Sequence, residues 1–278
     1  MEGAERMKNF TGTQKKFSAD HIRYLKKLRA RTAVVWSLGL GFLAAVLLLW
    51  QIFADAGVID AFISSSPKRI AETIADLIRN DNLFYHIGIT LYETLIGFVI
   101  AVVLGTVIAL LLWWSEIARR VFEPYLIVLN ALPKIALGPI IIVWCGSGSK
   151  SIILMAVLIG IIVTIINMLN GFLSADKEKI LLLRSMGATK FQILRKLVVP
   201  GSIKTFISTL KIDVGMAWIG SVMGEYMTSK AGLGYLIVYG GQVFKLDLVM
   251  AATVVLCLLA TLMYLGVALL EKLLVKNI

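Results

Sequence analysis

Six long apolar stretches dominate the chain, with short polar segments between them. A bilayer core about 30 Å thick is crossed by about 20 mostly apolar residues in a helix, because only a helix pairs its own backbone groups in hydrocarbon. The pattern therefore predicts an all-α, polytopic membrane protein with six transmembrane helices. The predicted spans cover residues 33–54, 87–114, 125–144, 151–173, 205–223 and 248–270. The first stretch is long and is followed by no small-residue cleavage site, which favours an uncleaved span over a signal peptide.

Lysine and arginine concentrate before the first span and in the loop between the fourth and fifth spans. By the positive-inside rule, the basic tail over residues 1–32 lies in the cytoplasm, and six crossings return the C-terminus to the same side. The loop over residues 174–204 is then cytoplasmic as well, within a transmembrane domain that covers 33–273. Apolar and basic positions mix over residues 18–31, which predicts an interfacial helix attracted to anionic lipid.

Composition agrees with a membrane protein. The chain is 59% hydrophobic and 16% charged, with a mean hydropathy of +0.87. Its net charge of +11 would suggest nucleic acid binding in a soluble protein, but the predicted topology places most of that charge on one side of a membrane. Two cysteines, Cys145 and Cys257, provide no disulfide framework, and two histidines, His21 and His86, make a metal site improbable.

Four ionisable residues fall within or near the predicted spans: Glu93, Lys134, Asp213 and Glu225. Such side chains face the protein interior or water, and they are candidates for a translocation path. An internal ion pair of Lys134 with Asp213 or Glu225 explains them equally well. Glu225 lies near the end of its span, where we expect solvation to lower the free-energy cost of its charge.

The third span is interrupted by Pro133 and Pro139, with Gly138 between them. Proline removes a backbone donor and bends a helix, and carbonyl groups freed at that depth are tolerated only against protein or a wet cavity. We therefore place this kink beside the translocation path, with a packing kink as the alternative. Trp218, which lies inside the fifth span instead of at its border, joins the path candidates.

Small residues recur at four-residue steps in two of the spans, which predicts close contact with another helix. These residues are Gly97, Ala101, Gly105 and Ala109 in the second span, and Gly220 and Gly224 in the fifth.

The loop between the fourth and fifth spans has the pattern of two short helices. A helical run over residues 175–186 meets a break at Gly187 and Ala188, and Thr189 begins a second helix that we expect to stop at Pro200. Two short helices around a glycine form a docking element, although a hairpin on the lipid surface has the same pattern.

Motifs for catalysis or nucleotide binding are absent from the sequence. The segment over residues 146–151 resembles a phosphate loop, but Ser149 stands where glycine is needed before Lys150. We therefore expect no catalytic residue, metal site or cofactor in this chain.

The loop between the fourth and fifth spans resembles that of a known family. Its sequence from Arg184 to Gln192, followed by Pro200 thirteen positions after Gly187, is similar to the "EAA" coupling loop of binding-protein-dependent ABC importer permeases. The resemblance covers residues 65–273, and it is typical of the nitrate, sulfonate and taurine branch. Further segments that carry it are residues 132–139, 217–225 and 232–237. Three leucines, at positions 181–183, replace the Glu-Ala-Ala that names the loop.

The resemblance implies a type I ABC importer fold and a permease subunit of an ATP-driven importer. Its substrate would be a sulfonate-, taurine- or nitrate-like anion, or a vitamin-like compound. Two copies of a separate ATPase would bind ATP and magnesium and receive the loop. A binding protein would deliver the solute from outside, and a second permease copy would complete the pore in a bacterial inner membrane, with a homodimer favoured over a heterodimer. The implied ATPase contacts are Arg184, Gly187, Ala188, Phe191 and Pro200.

Two other hypotheses stay open on the sequence. An ion-coupled secondary carrier or channel would use Glu93, Asp213 and Glu225 to couple ions, and it would show inverted repeats and more spans. A scaffold subunit of a membrane complex would carry no translocation path at all.

Overall fold

The structure, a computed structural model, describes residues 19–80 and 82–275. Residues 1–18, most of the predicted basic tail, lie outside the described residues. The chain divides into two compact units at the junction between Ala61 and Phe62.

The first unit contains one long helix, α1 (Ala19–Asp55), of 37 residues. It combines the predicted interfacial helix and the predicted first span in one continuous element. Neither glycine nor proline occurs between Ala19 and Gly39, so nothing in the local sequence separates the two segments.

The second unit is helical as well, with no strand among the residues described. After α1 come α2 (Ala61–Ser64), α3 (Pro67–Asn80), α4 (Leu83–Trp114), α5 (Glu116–Ala131), α6 (Gly138–Cys145), α7 (Ser149–Leu173), α8 (Lys177–Ser185), α9 (Lys190–Ile193), α10 (Val199–Thr228), α11 (Leu233–Gln242) and α12 (Leu246–Val275).

Helices α4, α7 and α10 form the centre of this unit, with α7 packed against both others. The predicted small-residue contacts are confirmed. A Cβ on Gly97 of α4 would lie 2.5 Å from the Cβ of Ala156, and one on Gly220 of α10 would collide with the Ala156 backbone. Because glycine has no side chain, both helices approach α7 closely at this level.

The third predicted span is a broken pair and not one kinked helix. After α5, Leu132 is extended with ψ 138°, and a 3₁₀ turn over Lys134–Leu137 leads into α6. The two parts are bent by 87°. The break follows from Pro133, since the residue before a proline is pushed out of helical conformation. The described residues thus contain five helices able to span a membrane, or six if this pair counts as one.

Two further differences from the predicted spans concern the fifth span and the segment that follows it. Helix α10 begins at Val199, six residues before the predicted fifth span, and α11 follows it. No predicted span covers the segment that contains α11. At ten residues, α11 is too short to be recognised as a span.

Candidate docking loop and buried carboxylate cluster

The loop between α7 and α10 is built from strongly capped helices. Asp176 caps α8, and its carboxylate accepts hydrogen bonds from the backbone amides of Glu178 at 2.9 Å and Lys179 at 3.3 Å. The bond from the Lys179 amide lowers the pKa of Asp176 below its usual value. The cap therefore fixes where the first helix of the loop begins.

Gly187 ends that helix in the left-handed region, with φ +79°. The amide of Gly187 donates to the Arg184 carbonyl, and that of Ala188 to the Leu183 carbonyl, each at 2.9 Å. A Cβ at Gly187 would meet no atom within 4 Å. Glycine is favoured here by its backbone conformation and not by lack of space.

The second loop helix starts with a reciprocal cap. The Thr189 amide donates to Gln192 Oε1 at 2.8 Å, and the Gln192 amide donates to Thr189 Oγ1 at 3.3 Å. This capping box begins α9 at the residue that the sequence predicted.

The predicted stop at Pro200 is wrong. A π turn over Leu194–Val198 joins α9 to α10, and the helical run continues from Lys190 to Thr228. Pro200 takes one of the first two positions of α10. Proline is tolerated there because its missing amide needs no partner in the first turn of a helix.

The loop divides its apolar residues between two surfaces. Ile193, Leu194 and Val198 are buried in a cluster with Leu112 of α4 and Phe172 of α7. Phe191, in the same short helix as Ile193, is 59% exposed.

Phe191 shares its exposure with three other large apolar side chains of the loop. We call these four residues the loop patch: Leu181, Leu182, Met186 and Phe191. Arg184 and Gly187 are exposed beside them, and Ala188 is half-buried. Two leucines of the patch belong to the triplet that replaces the Glu-Ala-Ala of the resembled motif.

Lys190 ties the loop to the end of α4. Its ammonium group donates to the Trp114 carbonyl at 2.5 Å and lies 5.6 Å and 5.5 Å from the ring centroids of Trp113 and Trp114. A cation at a helix C-terminus interacts favourably with the free carbonyls there. The sequence analysis missed this contact, because 76 residues separate the two partners.

At the opposite end of α7, Glu225 is buried, with 1% of its surface exposed. The expectation that solvent lowers its cost is therefore wrong. Glu225 Oε2 accepts a hydrogen bond from the Gly234 amide at 2.5 Å. A backbone donor at the start of α11 thus replaces water.

The two amides before Gly234 also have side-chain acceptors. The Leu233 amide donates to Thr90 Oγ1 at 2.8 Å, and the Gly232 amide donates to His86 Nδ1 at 3.0 Å. We call these three contacts the α11 clasp. They satisfy successive backbone donors that a helix N-terminus leaves without intrahelical partners.

Glu93 is the buried neighbour of the α11 clasp. It lies on α4 with 1% of its surface exposed, and its polar neighbours are Ser149 and Glu225. Of the ionisable path candidates, only Glu93 and Glu225 are brought together.

The other path candidates lie apart. Lys134 donates to Asn130 Oδ1 at 3.3 Å, and Asp213 Oδ2 accepts from Thr164 Oγ1 at 2.8 Å. Within the described residues Lys134 forms no ion pair with Asp213 or Glu225, so the internal pair is not found.

The remaining candidates differ in exposure. Pro133 and Pro139 are exposed on the broken segment, while Trp218 is buried in an apolar cluster with Val102 and Val214. The tryptophan therefore stabilises the packing of α10 inside the unit.

These features can be compared with known proteins. The family described as "Binding-protein-dependent transport system inner membrane component" matches residues 97–276. The chain belongs to this family. It is a multi-pass inner-membrane protein and the permease subunit of an ABC importer, and the ATPase of such a system is a separate subunit. This confirms the importer hypothesis, and the chain is not an enzyme.

Relatives of this permease match 70% to 95% of its length. The putative aliphatic sulfonates transport permease protein SsuC of Bacillus subtilis is 29% identical over 95% of each chain. The taurine transport system permease protein TauC of Escherichia coli is 25% identical over 85% of this chain and 88% of its own. The formylaminopyrimidine transport permease protein ThiX of Halalkalibacterium halodurans is 32% identical over 70% of this chain and 77% of its own.

A solved structure agrees with the fold. The inward-facing MetNI methionine ABC transporter matches with a TM-score of 0.61 and 21% identity, over 68% of this chain and 94% of the matched chain. The predicted type I importer fold and the predicted branch are confirmed.

Proposed function

We propose that this permease imports a small organic or inorganic solute that carries a sulfonate-like or similar anionic group, or a vitamin-like compound, delivered by a binding protein. The relatives named above support this range, since they transport aliphatic sulfonates, taurine and formylaminopyrimidine. The range is broad because three different solutes occur at similar sequence identity.

We further propose that the loop patch binds the ATPase, with Arg184, Gly187 and Ala188 at its edge and Pro200 at its root. The observation that carries this proposal is the exposure of large apolar side chains on a loop that is capped and anchored from within. A contiguous apolar surface rimmed by polar groups is typical of a protein interface. Two ATPase copies, each binding ATP and magnesium, would serve two permease copies.

The dimer proposal rests on helix α5. It has no buried residue, although apolar side chains such as Tyr125, Ile127 and Val128 cover it. We propose a homodimer whose pore is lined near the exposed Pro133 and Pro139 and the half-buried Lys134. Asp213, Trp218 and the Glu93–Glu225 pair would contribute to this path by positioning α4 and α10. Both chain termini and the loop would lie in the cytoplasm.

The test is copurification of the ATPase with Gly187→Asp. A charge placed among apolar contacts is expected to abolish association, because a carboxylate would be desolvated at the interface. Gly146→Asp is the matched control. Gly146 is also exposed, has φ +78° against +79° at Gly187, and leaves a Cβ with no atom within 4 Å.

The two variants add the same side chain at nearly the same φ, beyond opposite ends of α7. We expect Gly146→Asp to retain the ATPase and both variants to insert in the membrane. Normal copurification of Gly187→Asp would refute the docking proposal, and equal loss in both variants would assign the effect to folding.

A further inference from the structure

A polar cavity lies beside the α11 clasp. Its volume is about 330 Å³, and its floor includes the buried carboxyl group of Glu93. The remaining lining residues are Ile89, Ser147, Gly148, Ser149, Thr228, Ser229, Lys230 and Ala231. Hydroxyl groups from two different loops therefore surround one acid.

Several buried oxygen atoms at this place form no hydrogen bond of full geometry with the described residues, although Ser149 and Glu225 lie beside Glu93. They are both carboxylate oxygens of Glu93, Glu225 Oε1 and Thr228 Oγ1. Buried polar atoms are nearly always paired, so a cluster of unpaired oxygens next to a cavity indicates a missing partner.

The charge balance favours a cationic partner. A buried carboxylate costs several kcal/mol unless a counter-charge or hydrogen bonds compensate it. The ion pairs formed within the described chain do not include Glu93. Lys230 lines the cavity as an exposed residue, which leaves the floor acidic and the rim basic.

We propose that this cavity binds a small cationic group at Glu93, either a monovalent metal ion or the ammonium end of a small zwitterionic solute. Carboxylate and hydroxyl oxygens are ligands for hard cations and acceptors for ammonium donors. Within the described residues no group of three or more His, Cys, Asp or Glu side chains could hold a metal ion, which disfavours a conventional divalent site.

The two sources make different demands on the rim. A metal ion would be bound only by the oxygens at the floor. This version of the proposal does not depend on the proposed substrate. A zwitterion would place its anionic end at Lys230, and this source alone rests on the proposed function. Taurine carries both groups, while isethionate has the same sulfonate with a hydroxyl in place of the ammonium.

The test is thermal unfolding of the full-length chain purified in detergent. Tetraethylammonium chloride at constant ionic strength provides the reference, since a quaternary ammonium has no N–H group to donate and its charge is shielded by alkyl groups. NaCl, KCl, taurine, and isethionate as its tetraethylammonium salt are the probes. At ten times Kd we expect the binding probe to raise Tm by about 2–3 °C.

Glu93→Gln removes the charge at nearly constant shape, and we expect it to abolish the rise. Asp213→Asn is the matched control, because Asp213 is equally buried but bonded to Thr164 and absent from the cavity lining. It should retain the rise. If Glu93→Gln fails to fold, the near-isosteric Thr228→Val should weaken binding about fivefold by removing one oxygen ligand.

The outcomes separate the two sources. A rise with Na⁺ or K⁺ alone supports a metal ion, and a rise with taurine but not isethionate supports a zwitterion. The proposal would be overturned if none of the probes raised Tm, if Glu93→Gln showed the same rise as the unmodified protein, or if Thr228→Val bound the probe with unchanged affinity.

Discussion

The two ends of α7 present opposite kinds of surface. At the loop end, backbone groups are capped locally while large apolar side chains, such as Met186 at 75% exposure, face outward. At the α11 end, apolar Leu233 has no exposed surface, and carboxyl, hydroxyl and imidazole groups are turned inward to backbone amides. Glu225 and Leu233 at the α11 end are buried within the chain, whereas the loop patch is exposed.

This difference between the two ends of α7 shows where binding energy is available. A side chain already buried against its own chain gains nothing from a partner, whereas an exposed apolar side chain gains about 25 cal/mol for each Å² that it buries. The loop end therefore suits a protein partner. The α11 end suits a structural role and, at its unpaired oxygens, a small ligand.

Truncating one apolar residue at each end separates stability from association. Leu233→Ala is expected to lower the free energy of unfolding by about 2–5 kcal/mol, because it leaves a cavity in packed surroundings. Phe191→Ala should change stability by about 0.5 kcal/mol at most, yet weaken ATPase binding about tenfold as an interface anchor. Thermal unfolding and titration with the ATPase measure the two effects. Similar losses of stability in both variants would contradict the proposed difference between the two ends of α7.

Replacing one glycine at each end of α7 is expected to give a smaller difference in stability. Gly232 has φ +114°, and an added Cβ would lie 2.6 Å from Glu225 Oε1, so Gly232→Ala combines backbone strain with a collision. We expect it to cost about 3 kcal/mol, against about 1 kcal/mol for Gly187→Ala, which has open space. The check is Tm of the full chain. An equal fall in both variants would show that the α11 clasp is loosely packed.

The smallest expected effect concerns the anchor of the loop. Lys190→Met removes the bond to the Trp114 carbonyl but keeps an unbranched side chain, and we expect amide exchange over residues 190–198 to become about fivefold faster. Lys196→Met, an exposed lysine of the same loop, is the control and should leave exchange unchanged. Identical exchange in the two variants would remove Lys190 as an anchor.

Features that depend on local sequence could be predicted. The long apolar runs indicated the helices, the small-residue steps indicated the contacts of Gly97 and Gly220 with α7, and Thr189 indicated the start of α9. In each case the deciding residues are close together in the chain or repeat with the helical period.

Features that depend on distant partners could not be predicted. The cap of Leu233 comes from Thr90, 143 residues away, and a lone hydroxyl in an apolar helix does not indicate which amide it serves. For the same reason Glu225 was expected in solvent. The bend at Pro133 was foreseen as a kink, but its size of 87° depends on Leu132 and on the 3₁₀ turn that follows.

Cysteine crosslinking between this permease and its ATPase tests most directly whether the loop patch binds the ATPase. Cys145→Ser and Cys257→Ser remove both native thiols, which are exposed. Met186→Cys in the loop patch is then compared with Phe244→Cys, which replaces another exposed apolar residue, between α11 and α12. We predict that a short thiol crosslinker joins the ATPase to position 186 and not to position 244. Crosslinking at position 244, or at neither position in a complex that transports solute, would contradict the account.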